Sequence, residues 1–295
     1  MRVNKDRLYS ILFILPSVVA IAIFVYGFIG WSTRVSFSAW QGLMPDFTWV
    51  GLENYVELFH DRRFMIDLRN TGIFTFLFLF ACLIIGLLLA IIIDRTRKGA
   101  NIFRNIFLFP MAVSFIVTGV AWRWLMNPAT GSRMSGLNLL FDKIGLDFLI
   151  NNWHTTPEWG IAFIVIPAVW QMSGFTMALY LSGIQSIPHE LREAAMVDGA
   201  NEWQTFRNII MPLLRPITLS AVIILGHTSL KIFDLIVAIS GKDIRLDVPA
   251  IYMWTTSFDA NNFARGATIG IIMLITVAIV IVPYLAFGTR EETEL

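Results

Sequence analysis

Long apolar stretches alternate with shorter polar segments along the whole 295-residue chain. A membrane-spanning helix needs about 20 consecutive apolar residues. Six stretches meet that requirement, at about 10–31, 72–93, 106–126, 160–181, 217–240 and 267–287. The pattern therefore predicts an all-α integral membrane protein, with six transmembrane helices in a single domain that covers residues 1–295.

The composition agrees with a chain that is surrounded by membrane lipid. Hydrophobic residues make up 56% of the sequence and charged residues 15%, and the mean hydropathy is +0.68, outside the range of soluble domains. The net charge of +1 gives no reason to expect a nucleic-acid partner. Cys82 is the one cysteine and lies in an apolar stretch, so it can form no intramolecular disulfide and is expected to serve packing.

Basic residues predict the orientation in the membrane, because short cytoplasmic segments are enriched in Lys and Arg. They crowd the amino terminus and the segment between the second and third predicted spans, namely Arg2, Lys5, Arg7, Arg95, Arg97, Lys98 and Arg104. Six spans place both termini on one side, so both termini are predicted to be cytoplasmic. The polar loop 187–216 then falls on the same side.

The loop 187–216 contains signals for two short helices with a break between them. Asp198-Gly199 favours a turn, and Asn201 with Gln204 forms a capping-box pattern that begins the second helix. Taken without any resemblance, this pattern also fits an ordinary cytoplasmic loop helix that lies on the lipid headgroups.

A longer motif within the loop favours a more specific interpretation. The order E-A-A, two residues, D-G-A, and then F-x-x-I-x-x-P resembles the signature loop of permease subunits in binding-protein-dependent ABC importers. In that family the loop forms a coupling helix that docks into a groove on the ATP-hydrolysing subunit. Met211 stands where leucine is commoner. The residues that match the motif are Glu193, Ala194, Ala195, Asp198, Gly199 and Pro212.

The segments Phe103–Gly131 and Trp170–Pro216 further resemble sugar-importing permeases of the maltose and glucose type. The resemblance implies an ABC importer type I permease fold in the inner membrane of a prokaryotic cell. It also implies a second permease subunit that completes a heterodimeric pore, two ATP-binding subunits, and an extracytoplasmic sugar-binding protein. The chain itself would need no cofactor, since ATP and Mg²⁺ would bind to the partner ATPases.

Motif absences agree with a transport subunit that is not an enzyme. The sequence contains no G-x-x-x-x-G-K-[ST] loop, so ATP hydrolysis of that kind is expected in the partner subunits. The four histidines show no metal-ligand spacing, so no metal site is predicted.

Polar residues inside two predicted spans are candidates for the translocation path. Trp170, Gln171 and Ser173 form one group, for which the alternative is that the polar side chains only join helices. Lys231 and Asp234 are three residues apart and would share one face of a continuous helix, where they could neutralise each other. Whether this pair is structural or contacts substrate stays open.

Two other classes of function remain possible on the sequence alone. Lys231, Asp234 and His227 could relay protons in a proton-coupled secondary transporter. The chain could instead be a scaffold subunit without transport of its own, or an ABC importer permease for a solute that is not a sugar. No charged cluster in the spans demands a charged solute, which favours a neutral sugar, although the particular sugar is not readable.

Overall fold

The computed structural model describes residues 5–96, 98–156 and 158–291. Within these ranges the chain is mostly helical, and its β-structure is one isolated bridge between Ser38 and Trp49. The charges of Arg2 and Arg97, on which the predicted orientation partly rests, lie outside the described residues. The chain divides into two compact units, one formed by 1–65 with 249–279 and the other by 66–248 with 280–295. The predicted all-α class is confirmed.

The described α-helices follow one another with short connections. In chain order they are α1 (Lys5–Ile21), α2 (Phe28–Ser36), α3 (Glu53–His60), α4 (Arg62–Arg95), α5 (Ala100–Leu108), α6 (Phe115–Leu125), α7 (Gly136–Lys143), α8 (Gly160–Ser186), α9 (His189–Val197), α10 (Glu202–Thr205), α11 (Met211–Leu213), α12 (Arg215–Leu230), α13 (Asp234–Ser240), α14 (Pro249–Trp254) and α15 (Phe263–Glu291). Three π-helical segments among the described residues continue helices without a break, Ala22–Gly27 between α1 and α2, Phe206–Ile210 between α10 and α11, and Thr255–Asp259 after α14.

Several of these helices are long and apolar enough to cross a membrane. Three single helices meet the requirements of length and hydropathy, Ile11–Ser36, Arg62–Arg95 and Gly160–Ser186. Two further pairs qualify if each bent pair is one span, Ala100–Ala112 with Phe115–Leu125 and Glu202–Leu213 with Arg215–Leu230. Phe263–Ile279, the part of α15 whose side chains the structure describes, is a shorter apolar helix. The structure therefore supports a protein with several spans, and the count of six stays a prediction.

The first unit is held together by a charged cluster around Asp61. Its carboxylate accepts hydrogen bonds from the Tyr252 hydroxyl at 2.7 Å and from the Arg265 guanidinium, and Arg63 lies over the Tyr252 ring, 4.4 Å from the centroid. Burial alone would raise the pKa of Asp61, but these hydrogen bonds and the Arg265 charge leave that pKa lowered. Burial and the bond to Asp61 raise the pKa of Tyr252 to about 12.

The second unit packs around α8. Gly174 lets α8 approach α5 closely, because a Cβ at this position would lie 1.9 Å from the Phe107 carbonyl oxygen. Cys82 on α4 is fully buried. One buried apolar cluster joins α4, α8 and the start of α12, and it consists of Ala90, Ile93, Met177, Tyr180, Leu181, Ile184 and Leu214.

The third predicted span, 106–126, is not one continuous helix. α5 ends at Leu108, a 3₁₀ turn follows over Phe109–Ala112, and the helices on the two sides of the break are bent by 97°. Pro110 has no amide hydrogen to donate within a helix, and the side chain of Ser114 caps the new helix by accepting from the Val117 amide at 3.4 Å. The local residues therefore explain the break.

The fifth predicted span, 217–240, is also interrupted. α12 ends at Leu230 and α13 begins at Asp234. The interpretation that Lys231 and Asp234 share one helix face is therefore wrong. A tertiary contact accompanies the break, because α13 packs so closely on α6 that a Cβ at Gly119 would lie 2.5 Å from the Ala238 Cβ.

Candidate functional site

The helix α9 carries three of the six residues predicted for coupling, and its two sides differ. Ala195 is buried against the rest of the second unit. Leu191, Met196 and Val197 are apolar but exposed, with 42%, 62% and 87% of their surface accessible. Val197 and the exposed Glu193 lie on the side of α9 opposite Ala195, at about 100° per residue, so this side is open to a binding partner.

The turn after α9 has the geometry that the sequence predicts. Gly199 has a φ of +81°, which glycine adopts without the steric cost that a Cβ would bring. Its amide donates to the Met196 carbonyl at 3.1 Å, and the Ala200 amide donates to the Ala195 carbonyl at 2.9 Å. This pair of bonds is the Schellman arrangement that ends many helices. The predicted turn at Asp198-Gly199 is confirmed.

The second helix of the loop begins with the predicted capping box. The Gln204 amide donates to the Asn201 side chain at 2.9 Å, and the Asn201 amide donates to the Gln204 side chain at 2.8 Å. α10 therefore begins at Glu202 with two of its amide donors satisfied.

Two ion pairs attach the loop to the end of α4. Arg192 reaches the Asp94 carboxylate at 3.4 Å and also donates to the Ile184 carbonyl at 3.0 Å, and only 23% and 22% of the two charged side chains is accessible. Arg95 pairs with Glu202 at 3.0 Å, but there 64% and 83% is accessible. Sequence reasoning missed Arg192, since its partner lies 98 positions earlier in the chain.

The predicted coupling residues differ in accessibility. Glu193, Ala194, Asp198 and Gly199 are exposed, whereas Ala195 is buried and Pro212 is half-buried. Pro212 lies in α11, just before the chain bends by 60° into α12. A cavity of about 590 Å³ separates the loop from the ends of α4 and α8, with Asp94 and Arg192 in its wall.

Gln171 on α8 is buried and contacts the break in the third predicted span. Its side-chain amide donates to the Val113 carbonyl at 2.6 Å. Val113 follows the 3₁₀ turn at Pro110, where no helix supplies the usual partner for this carbonyl. The helix-joining alternative accounts for this contact, while the side-chain carbonyl oxygen of Gln171 has no hydrogen-bond partner within the described ranges.

The other two residues of the first candidate group have different surroundings. Trp170 is exposed and meets Trp122 of α6 edge-on, with ring centroids 6.0 Å apart. Ser173 is buried. Of this group, Trp170 therefore has the most accessible side chain.

Lys231 and Asp234 lie on opposite sides of the break between α12 and α13, and both are exposed. They line a small cleft of about 220 Å³ together with His227 and Phe115. In the part of the chain that the structure describes, no ion pair joins them. Trp170 and this cleft meet α6 at different turns, at Trp122 and at Phe115.

No group of three or more His, Cys, Asp or Glu residues is placed to hold a metal ion within residues 5–96, 98–156 and 158–291.

Comparison with known proteins defines the class to which this architecture belongs. Residues 82–290 match the family described as the inner membrane component of binding-protein-dependent transport systems. The matched range contains α5 to α14, including the whole 187–216 loop. The chain belongs to this family of membrane transport components.

Individual relatives carry the comparison over the full length. The chain is 42% identical to a probable ABC transporter permease protein of Pyrococcus horikoshii, with 99% of each chain covered. It is 33% identical to the xylose/arabinose import permease protein of Haloferax volcanii, over 92% of this chain and 86% of the relative. Its fold resembles a chain of a bacterial alginate ABC transporter crystallised with an alginate pentasaccharide-bound periplasmic protein, with a TM-score of 0.81, 23% identity and 98% of each chain covered. The predicted ABC importer permease fold is confirmed.

Proposed function

We propose that this chain is a membrane-spanning permease subunit of an ATP-driven ABC importer for a sugar. The similarity to a xylose/arabinose import permease over most of both chains supports a sugar as the solute. The exposed Trp170 offers an apolar ring face of the kind that stacks on sugar rings. Lys231 and Asp234 border the same helix, α6, and are the polar candidates along the path.

The observation that carries the coupling role is the two-sided character of α9. Glu193 and Val197 are exposed on the side that points away from the bundle, while Arg192 and Ala195 fix the opposite side. Because the half-buried ion pair between Arg192 and Asp94 attaches α9 to the end of α4, a displacement of α9 can be transmitted to α4. We assign the exposed side to the groove of an ATPase partner.

The complex would contain a second permease subunit, two ATP-binding subunits and an extracytoplasmic sugar-binding protein. ATP and Mg²⁺ would bind in the ATP-binding subunits. Both termini of the chain and the 187–216 loop would lie in the cytoplasm, the side from which an ATPase can reach α9. The long apolar helices would hold the chain in the inner membrane of a prokaryotic cell.

In this mechanism, ATP binding favours the closed arrangement of the ATPase pair and thereby moves α9. The motion passes through Arg192 to Asp94 at the end of α4 and to the Ile184 carbonyl near the end of α8. The two spans would then shift together, and the pore would exchange inward access for outward access. The free energy for this change comes from the tighter binding of ATP to the closed state.

A charge placed on the exposed side of α9 tests the coupling role. We expect Val197→Glu to abolish sugar-stimulated ATP hydrolysis by the reconstituted complex, because a carboxylate at this 87% exposed position would have to be desolvated in the groove of the partner. Gln185→Glu is the matched control, since this exposed residue near the end of α8 gains the same charge outside α9. Equal stimulation in the two variants would contradict the docking assignment.

The energy source and the solute are tested by uptake into proteoliposomes that contain the complex purified in mild detergent. We expect accumulation of a neutral sugar, with xylose, arabinose and maltose tried first, that requires internal ATP and persists when the proton gradient is collapsed. Uptake that disappears with the gradient while ATP is constant would show a proton-coupled transporter. ATP-dependent uptake of a different solute would retain the importer and refute the sugar.

A further inference from the structure

A cleft of about 670 Å³ lies in the angle between α12 and the loop arm, which is the segment Glu202–Leu213 of the 187–216 loop. The loop arm and α12 are bent by 60° relative to one another. The lining is mostly apolar, and its lower part is formed by Leu219 and Val222 on the first turns of α12. The upper part carries two arginines, Arg207 and Arg215.

No described residue compensates the positive charge of this cleft with an ion pair. Arg207 and Arg215 are both exposed, and neither forms an ion pair with any residue that the structure describes. No Asp or Glu is present among the described residues that line the cleft. Two arginines that share one cleft can bind the oxygens of a phosphate group, because the guanidinium presents paired donors.

The depth of the cleft matches the boundary between headgroups and acyl chains. Arg215 begins α12, and Val222 lies two turns further along, which is about 10 Å at 1.5 Å per residue. Trp203 is exposed at the upper edge of the cleft, and tryptophan is enriched at the level of lipid headgroups. Charge is therefore concentrated at one end of the cleft and apolar surface at the other.

We infer that this cleft binds one anionic phospholipid of the cytoplasmic leaflet. The phosphate lies between Arg207 and Arg215, and an acyl chain follows Met211, Leu219 and Val222 toward the membrane interior. Basic pockets beside spanning helices on the cytoplasmic side are the general form of such sites. Because the cleft lies in the angle between the loop arm and α12, a lipid bound there contacts both segments and stabilises their relative orientation. The assignment does not depend on which solute is transported.

Native mass spectrometry of the complex released from nanodiscs tests the site. The nanodiscs contain phosphatidylglycerol and phosphatidylcholine in equal amounts, and the number and kind of retained lipids are measured. We expect the wild-type chain to retain phosphatidylglycerol. The Arg207→Gln/Arg215→Gln double variant should reduce this retention roughly thirtyfold and each single variant about fivefold, from the usual worth of a surface arginine toward anionic lipid.

Arg104→Gln is the matched control, because Arg104 is an exposed arginine predicted on the same side of the membrane but outside the cleft. It should retain phosphatidylglycerol as the wild-type chain does. Equal retention by the double variant would overturn the proposal. A monodisperse elution profile of each variant excludes misfolding as the cause of a loss.

Two further outcomes would also overturn the assignment. Displacement of the bound lipid by millimolar inorganic phosphate would show that the arginines hold a free anion and that the apolar floor contributes nothing. A photoreactive phosphatidylglycerol should label the peptide that contains Leu219. Labelling elsewhere, together with a crosslink from this peptide to a second permease subunit, would show that protein and not lipid fills the cleft.

Discussion

The 187–216 loop and the interrupted spans both place polar residues among apolar ones, but the two regions satisfy them differently. In the loop, caps and ion pairs supply the partners, as Asn201, Gln204 and Arg192 show. In the interrupted third span a backbone group that lost its helical partner is paired by a distant side chain, because Gln171 donates to the Val113 carbonyl. The comparison teaches that a polar residue in a span has to be judged by the backbone that it can complete.

The largest expected effect tests the turn of the loop. Gly199→Pro should abolish ATP-driven uptake while the protein still folds, because proline fixes φ near −65° where the chain has +81° and removes the amide that donates to Met196. Gly199→Asn is the control, since asparagine tolerates the left-handed conformation. Uptake is measured in proteoliposomes, and normal transport by a well-expressed proline variant would refute the coupling role of the turn.

The two ion pairs of the loop allow a matched comparison of burial. Arg192→Met should lower the free energy of unfolding by about 2 kcal/mol, because it leaves the Asp94 carboxylate and the Ile184 carbonyl without this donor. Arg95→Met should cost about 0.5 kcal/mol or less, since its pair with Glu202 is exposed. Thermal unfolding of the detergent-purified variants measures both. Equal losses of unfolding free energy in the two variants would show that the half-buried ion pair stabilises the protein no more than the exposed one.

The contact of Gln171 separates a structural role from a role in the path. Gln171→Leu should destabilise the protein by about 1 kcal/mol through the loss of the bond to the Val113 carbonyl, and leave the KM for sugar unchanged. Trp170→Ala should do the opposite, raising KM with little change in stability, because its ring is exposed. A raised KM in the Gln171 variant would return this residue to the translocation path.

The smallest expected effect lies outside both regions, in the Asp61 cluster. The pKa of Asp61 is lowered in the folded state, so its contribution to stability is present above the unfolded-state pKa and is lost as the pH falls through the folded-state value. Asp61→Asn should therefore flatten the acid side of the stability profile, and Asp142→Asn, at an exposed position, should not. Thermal unfolding between pH 3 and pH 7 is the measurement. Parallel profiles for the wild-type chain and the Asp61 variant would contradict the prediction.

Local signals made the loop and the long helices predictable from the sequence. These signals determine the structure of the residues next to them, and they are Gly199, the Asn201 capping pattern and the apolar stretches. The structure contains the turn, the capped helix and the long apolar helices that they predict. The break at Lys231 was not predictable in this way, because it accompanies the packing of α13 on α6 at Gly119 and Ala238. Pro110 is a local signal of the break in the third span, where the length of the apolar run alone predicts a continuous helix.

The candidate site was predictable only in part for the same reason. The family motif gives the identities of the coupling residues, but it cannot show that Ala195 faces inward while Val197 faces outward. Arg192 has no motif of its own, and its role depends on Asp94 in a different helix. The assignment of Trp170, Lys231 and Asp234 to the translocation path stays a prediction.

The burial of Cys82 has a practical consequence for chemical labelling. The chain carries one thiol, and it is enclosed within the second unit, out of reach of a water-soluble maleimide. A cysteine introduced at the exposed Asp198 would therefore be the one reactive thiol without any change to the natural residue. Labelling of that position in inverted but not in right-side-out vesicles would report directly on which side of the membrane the loop lies.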